Sequence, residues 1–151
     1  MIKPYKISVP KSTLNNIYKK IRAYPWKMMQ NVNGWEYGTN YNFLKKISQY
    51  WVSKYNWKKF ENKINSFKNY KTNVDGINLH FIIEKSKNPK SRPLLLLHGW
   101  PGSVIEFFDI IPRLAHPEKF GGKIEDGFDV IVPSLPGFGF STPIKKALGP
   151  R

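Results

Sequence analysis

No cysteine occurs in this chain of 151 residues, so neither a disulfide framework nor a cysteine-ligated metal site can be built from it. A reducing, cytosol-facing location fits that lack. Acids are scarce as well: 10 Asp and Glu stand against 25 Lys and Arg, a net charge of +15. Long hydrophobic runs are missing. Stretches such as Leu94–Leu97 fall far short of a bilayer span. The start, Met1 to Lys6, has neither the apolar core of a signal peptide nor a membrane anchor. On this reading the chain is soluble or at most peripheral. There is also no Gly-x-Ser-x-Gly nucleophile elbow. Ser103 and Ser141 are not followed by the glycine it requires, so they read as a helix cap and a turn serine.

What is present is apolar and aromatic enough to fold. Hydrophobic residues make up 40% and aromatics 15%, which excludes a disordered tail. The charge is uneven. Residues 1–93 hold 19 Lys and Arg against four acids, a net +15, whereas residues 94–151 are neutral. A basic half suits an anionic partner, either nucleic acid or a lipid surface. The lysines scatter instead of clustering, which favours an ordinary solvated face.

The spacing predicts helices first. Pro10 opens one whose apolar face is Leu14, Ile17, Tyr18 and Ile21, and Pro25 ends it. Residues 25–40 read as an ordered loop. A second helix begins after Thr39 or Asn40, with Leu44, Ile47, Trp51 and Tyr55 as its stripe. Trp57, Phe60, Ile64 and Phe67 make a third. Trp26, Trp35, Trp51 and Trp57 are spaced like core contacts. The period then switches to two. Ile77, Leu79, Phe81 and Ile83 alternate as a half-buried strand, and Asp75-Gly76 turns it back from a strand near Tyr70–Val74. Leu94–Leu97 predicts a strand buried on both faces, Ser103 to Glu106 a capping box, Pro112 a break, and Phe128–Val132 the next strand. Helices, then a hairpin, then strand–helix–strand make an α/β core.

Two loops carry the chemical interest. His98-Gly99-Trp100-Pro101-Gly102 follows one buried strand, where an open α/β sheet binds ligands. Backbone N–H groups in such a loop can meet a developing oxyanion, and one well-aimed donor is worth about 3 kcal/mol. An ordinary strand-to-helix turn is the competing reading. Pro133 to Ser141, with two prolines and two glycines, follows the next strand as a specified path. His80 should alternate outward to solvent, and His116 lies in a loop beside Pro117. Neither they nor His98 reads as a catalytic base; His98 is expected to hydrogen-bond within its loop. Asp109, Glu125 and Asp126 lack a partner constellation, Glu106 is a capping residue, and no metal site is assigned.

His98-Gly-Trp-Pro101 resembles the His-Gly-X-Pro motif of epoxide hydrolases, which are α/β-hydrolases. Pro133-Ser-Leu-Pro-Gly-Phe-Gly-Phe-Ser141 resembles the loop after the next strand in the microsomal type. The front half is similar to the N-terminal extension of that type: Trp35-Glu-Tyr-Gly38, Tyr50-Trp51 followed by Tyr55-Asn56-Trp57, then Asn65 and Asp75-Gly76. Asn56 departs from the Asp expected between the aromatic pair. Within the type, the chain is most similar to the insect juvenile hormone epoxide hydrolases.

The resemblance implies a helical extension at 1–69 and a partial α/β-hydrolase core at 70–151, truncated before the nucleophile elbow. It implies a two-step reaction without a cofactor, in which an aspartate attacks the epoxide and a histidine-activated water hydrolyses the ester. His98, Gly99, Trp100 and Pro101 would form the oxyanion loop, with a cis bond before Pro101. Trp100 and Phe138 would line the substrate pocket. The substrate would be a hydrophobic epoxide, juvenile hormone included, and the location the cytosolic face of the endoplasmic reticulum. The chain alone is expected to be inactive. The rival is a basic, non-catalytic module for an anionic membrane or nucleic acid, although nothing resembles a nucleic-acid motif and no such partner is expected.

Overall fold

A computed structural model describes residues 1–30 and 34–144. Residues 31–33 of the expected 25–40 loop and the end of the chain from 145 lie outside the described residues. The chain forms two compact units, one of Ser8–Glu61 and one of Met1–Ile7 with the chain from Asn62 onward.

The first unit is helical. α1 (Lys11–Arg22) starts directly after Pro10, and α2 (Tyr41–Ser53) is capped by Asn40, whose side chain accepts from the Phe43 N–H at 3.0 Å. α3 (Trp57–Asn65) begins here and has its last turn in the other unit. Glu61 is buried among donors: the Val9 N–H at 2.7 Å, the Trp57 indole N–H at 3.1 Å and the Lys58 ammonium. Lys58 above all, then Val9, hold its carboxyl below the usual range.

The tryptophans do not form the expected core. Trp51 is 46% and Trp35 59% exposed. Leu14, Ile17, Ile47, Tyr50 and Trp51 instead wall an open apolar groove of about 450 Å³. The stripes on α1 and α2 have the predicted helical spacing, but the groove between them is unfilled among the described residues.

The second unit is a five-stranded sheet. β1 (Lys3–Pro4), β2 (Asn69–Val74), β3 (Ile77–Glu84), β4 (Pro93–Leu95) and β5 (Asp129–Pro133) lie in the order β1-β2-β3-β5-β4. Pairing is antiparallel except for β4 and β5, which run parallel with Leu94 opposite Val130. The β2–β3 hairpin turns at Asp75 (φ 50°) and Gly76 (φ 82°), the two positive dihedrals of a tight primed turn. Asn65 brackets the chain entry. Its carboxamide oxygen accepts from the Ile7 N–H at 2.9 Å and its amide donates to the Ile7 carbonyl at 2.8 Å. Ile82, Val130 and Val132 are fully buried in the sheet, and Ile111 and Ala115 of the short helix α4 (Ile111–Ala115) are equally buried. Asp129 ties the β3–β4 loop to β5. It pairs with Lys85 and accepts from the Ser86 N–H and the Ser91 hydroxyl, so Lys85 first of all keeps its carboxyl low.

Several expectations are corrected. β3 is not half-buried in its middle, because His80, Phe81 and Ile82 are all covered. His80 in particular is 0% exposed, under the rings of Tyr5 and Phe140 at 5.9 and 5.2 Å. Leu94–Leu97 is not buried on both faces: Leu95 and Leu97 are each 57% exposed, since the alternate residues of this edge are left uncovered by the described residues. Ser103 caps a 3-10 turn, Val104–Phe107, through the Ile105 N–H; no reciprocal Glu106 bond is made. The helix opened at Ser103 is interrupted before Pro112, which sits in the first turn of α4, where a residue needs no N–H partner.

Candidate active site

Both singled-out loops leave the carboxyl ends of parallel neighbours. The β4 ladder continues to Leu96, whose N–H donates to the Ile131 carbonyl at 2.9 Å. His98 to Gly102 then turns sharply, closed by the Gly102 N–H on the Gly99 carbonyl at 2.7 Å. The Trp100–Pro101 peptide is cis, as the resemblance implies. Trp100 stands 85% exposed, and its N–H has no hydrogen-bond acceptor among the described residues. A free donor at a strand end is a polar group of the turn left for a ligand.

The β5 loop is the brace. Leu135 donates its N–H to His98 Nε2 at 3.0 Å, and the His98 and Phe138 rings meet edge-on at 5.2 Å. His98 is buried. Its Nε2 is an acceptor, so the ring proton sits on Nδ1, which faces the Gly99 carbonyl at 3.3 Å. With its lone pair committed, His98 is a loop-holding group and not a general base. The structure thus brings His98, Gly99, Trp100, Pro101 and Phe138 together.

Other sequence candidates lie apart. His116 contacts Glu84 at 2.8 Å on the far segment after α4. Asp126 accepts from the Lys123 N–H. Among the described residues no three His, Asp or Glu side chains converge as a metal ligand set.

A second layer escaped the sequence reading. His80 Nδ1 lies 2.8 Å from Ser134 Oγ, and His80 Nε2 lies 3.0 Å from Asn69 Oδ1. The His80 N–H donates to Ser141 Oγ, which in turn donates to the Ser134 carbonyl. Burial first, then the Lys71 charge, pushes the His80 imidazole down to about 4. Gly139 has φ 48°, and a Cβ there would sit 3.1 Å from the Ser134 hydroxyl, so the loop needs glycine beside this network. A polar histidine at alternate spacing in an apolar strand, with serines at both ends of the facing loop, was the available signal.

The epoxide hydrolase N-terminus family matches residues 2–107, and the alpha/beta hydrolase fold family matches residues 92–147. A putative epoxide hydrolase of Stigmatella aurantiaca is 46% identical over 140 residues, covering 93% of this chain and 32% of that protein. Epoxide hydrolase 1 of Oryctolagus cuniculus is 38% identical, with 93% and 32% covered. The crystal structure of juvenile hormone epoxide hydrolase from the silkworm Bombyx mori superposes with a TM-score of 0.82 at 33% identity, covering 97% of this chain and 35% of that one. The chain therefore spans about a third of the length of the curated relatives it matches.

Proposed function

This chain belongs to the epoxide hydrolase family, and from that premise we propose that it supplies the oxyanion side of a site adding water to hydrophobic epoxides to give diols. Its fold is the α/β-hydrolase fold with N-terminal helices. Residues 1–69 serve as the N-terminal extension and 70–151 as the start of the hydrolase core. The carrying observation is the unpartnered Trp100 N–H at the end of β4, in a loop fixed by Leu135 on His98.

In the proposed cycle a carboxylate opens the epoxide and becomes an ester, and water then cleaves that ester. The carbonyl oxygen of the ester gains charge in the second step, and the Trp100 N–H meets it there. The Trp100 indole and Phe138 shield the apolar side. The nucleophile and the water-activating base are supplied by residues outside this chain, so the 151 residues alone form no diol. Juvenile hormone, named in the silkworm relative, is proposed among the hydrophobic substrates.

A chimera tests this. Residues 1–144 would replace the matched third of the Stigmatella relative, and diol formation from a hydrophobic epoxide would be followed. Turnover is expected. Trp100→Pro, which removes the N–H, should lower kcat by about 10²–10³-fold and let ester accumulate. A folded chimera without turnover, or one indifferent to Trp100→Pro, refutes the assignment.

Attachment to the cytosolic face of the endoplasmic reticulum is the finer proposal. No described helix is long and apolar enough to cross a membrane. The net +15 of residues 1–93 provides an electrostatic alternative, with each basic residue near an anionic surface worth about 1 kcal/mol. The chain should pellet with phosphatidylserine vesicles at low salt and release as salt rises toward about 1 M, where the Debye length shrinks to about 3 Å. Failure to bind at low salt ends this idea without touching the catalytic one.

A further inference from the structure

Asn69, His80, Ser134 and Ser141 are all at most 5% exposed, yet every side-chain polar atom among them is answered. The partners fix the proton positions. The Asn69 amide nitrogen donates to two carbonyls, Ile64 at 3.0 Å and Phe67 at 2.8 Å, so its oxygen must be what faces His80. That oxygen can only accept, so His80 Nε2 carries the proton. His80 Nδ1 is then bare, and the Ser134 hydroxyl donates to it. The serine's own position is held twice more: its N–H donates to the His80 carbonyl at 2.9 Å, and its carbonyl accepts from Ser141 Oγ at 2.7 Å. The charged group facing this cluster is Lys71, opposite His80 on β2, whose ammonium lies 4.1 Å from the centre of the Tyr5 ring. Phe140 from the β5 loop is uncharged, and Tyr5 presents its ring.

The residue after Ser134 is Leu135, the donor to His98 Nε2. The two histidines thus grip consecutive residues of one loop, one from β3 and one from the turn after β4. We propose that His80, oriented by Asn69, is a positioning residue for the His98–Pro101 loop, acting through Ser134 and the Leu135 N–H. The inference rests on the reading of that loop as the oxyanion loop. Rotating Ser134 turns the Leu135 peptide, and an imidazole that loses its donor no longer needs the Nδ1–H form that faces Gly99.

Nuclear magnetic resonance on the 151-residue chain reads this without turnover. The wild type should show the His98 ring as the Nδ1–H tautomer and a slowly exchanging Leu135 amide. His80→Gln keeps a donor toward Asn69 but has no acceptor where Nδ1 was; Ser134→Ala removes the other half of the same bond. Either should lower Leu135 protection about tenfold, the equivalent of one hydrogen bond, and mix the His98 tautomers. Amides of the β2–β3 ladder should keep their relative protection. His80→Asn, whose oxygen falls near the Nδ1 position, should restore both signals. If His80→Gln does not fold, Ser134→Ala carries the test alone. A uniform fall across the sheet, or an unchanged His98 tautomer in a folded variant, overturns the proposal. In the active chimera the same variants should lower kcat about tenfold with KM held. Tautomer changes on a chimera that never turns over would leave the positioning role standing and sink the enzymatic reading.

Discussion

Acidification from neutral pH to about 4 should cost the sheet unit about 3 kcal/mol of stability through His80 alone. The imidazole is fully buried and its pKa falls from 6.5 to about 4, by burial first and the Lys71 charge second. Between those values the unfolded chain binds a proton that the folded chain refuses. Stability is therefore whole above about 6.5 and falls as the pH drops through the window toward 4. A protonated Nδ1 would also meet a serine already committed as donor, with no acceptor to replace it. Asp129 and Glu61 have lowered carboxyls, so their stabilisation begins to fall only near their ordinary values of 3.8 and 4.5, at the acid end of the histidine window, and the slope between 6.5 and about 5 belongs to the histidine. Urea melts at stepped pH would read the slope, with His80→Asn as the control that should flatten it above pH 4. A wild-type midpoint that stays level between 6.5 and 4.5 would show that the ring is not held neutral by the fold.

Self-association is the second large effect. Among the described strands, β4 pairs only with β5, and its other side presents free backbone. Leu95 and Leu97 add exposed apolar surface beside it. Pro93 removes a single donor, which is a weak defence for an edge that invites pairing. The purified 151-residue chain should sediment as dimers or larger species at about 10 µM. Leu95→Lys places a charge on the edge, away from the His98 loop, and should weaken association about a hundredfold, since edge charge is a natural barrier to strand addition. A wild-type monomer at tenfold higher concentration would mean the edge is already blunted.

The helices were legible because their signals are local. Pro10 and Asn40 precede α1 and α2 by one residue, and the 3.6-residue stripes need no knowledge of the fold. The hairpin at Asp75-Gly76 and the loop from His98 to Pro101 were legible for the same reason. Burial was not. Strand alternation assigns His80 to the polar side only if that side is wet, and here Tyr5 and Phe140 cover it from distant parts of the chain. Trp51 shows the reverse error: a helical stripe reports which side is apolar, not whether anything fills the groove it borders. For the site, the glycine and proline spacing identified both loops, but the bond from Leu135 to His98 spans 37 residues and leaves no mark in local pattern.

The Asn65 bracket has a topological consequence. Ile7 and Asn65 are 58 residues apart yet joined by two hydrogen bonds, so the polypeptide leaves and re-enters the sheet unit at nearly one point. Residues 8–61 are thus an excursion with adjoining ends, and closing such an excursion depends only logarithmically on its length, about 0.6 kcal/mol for each doubling. Insertions or deletions within the helical unit therefore leave the sheet's closure almost unaffected. A longer or shorter helical unit would thus be tolerated while Ile7 and its Asn65 latch stay in place.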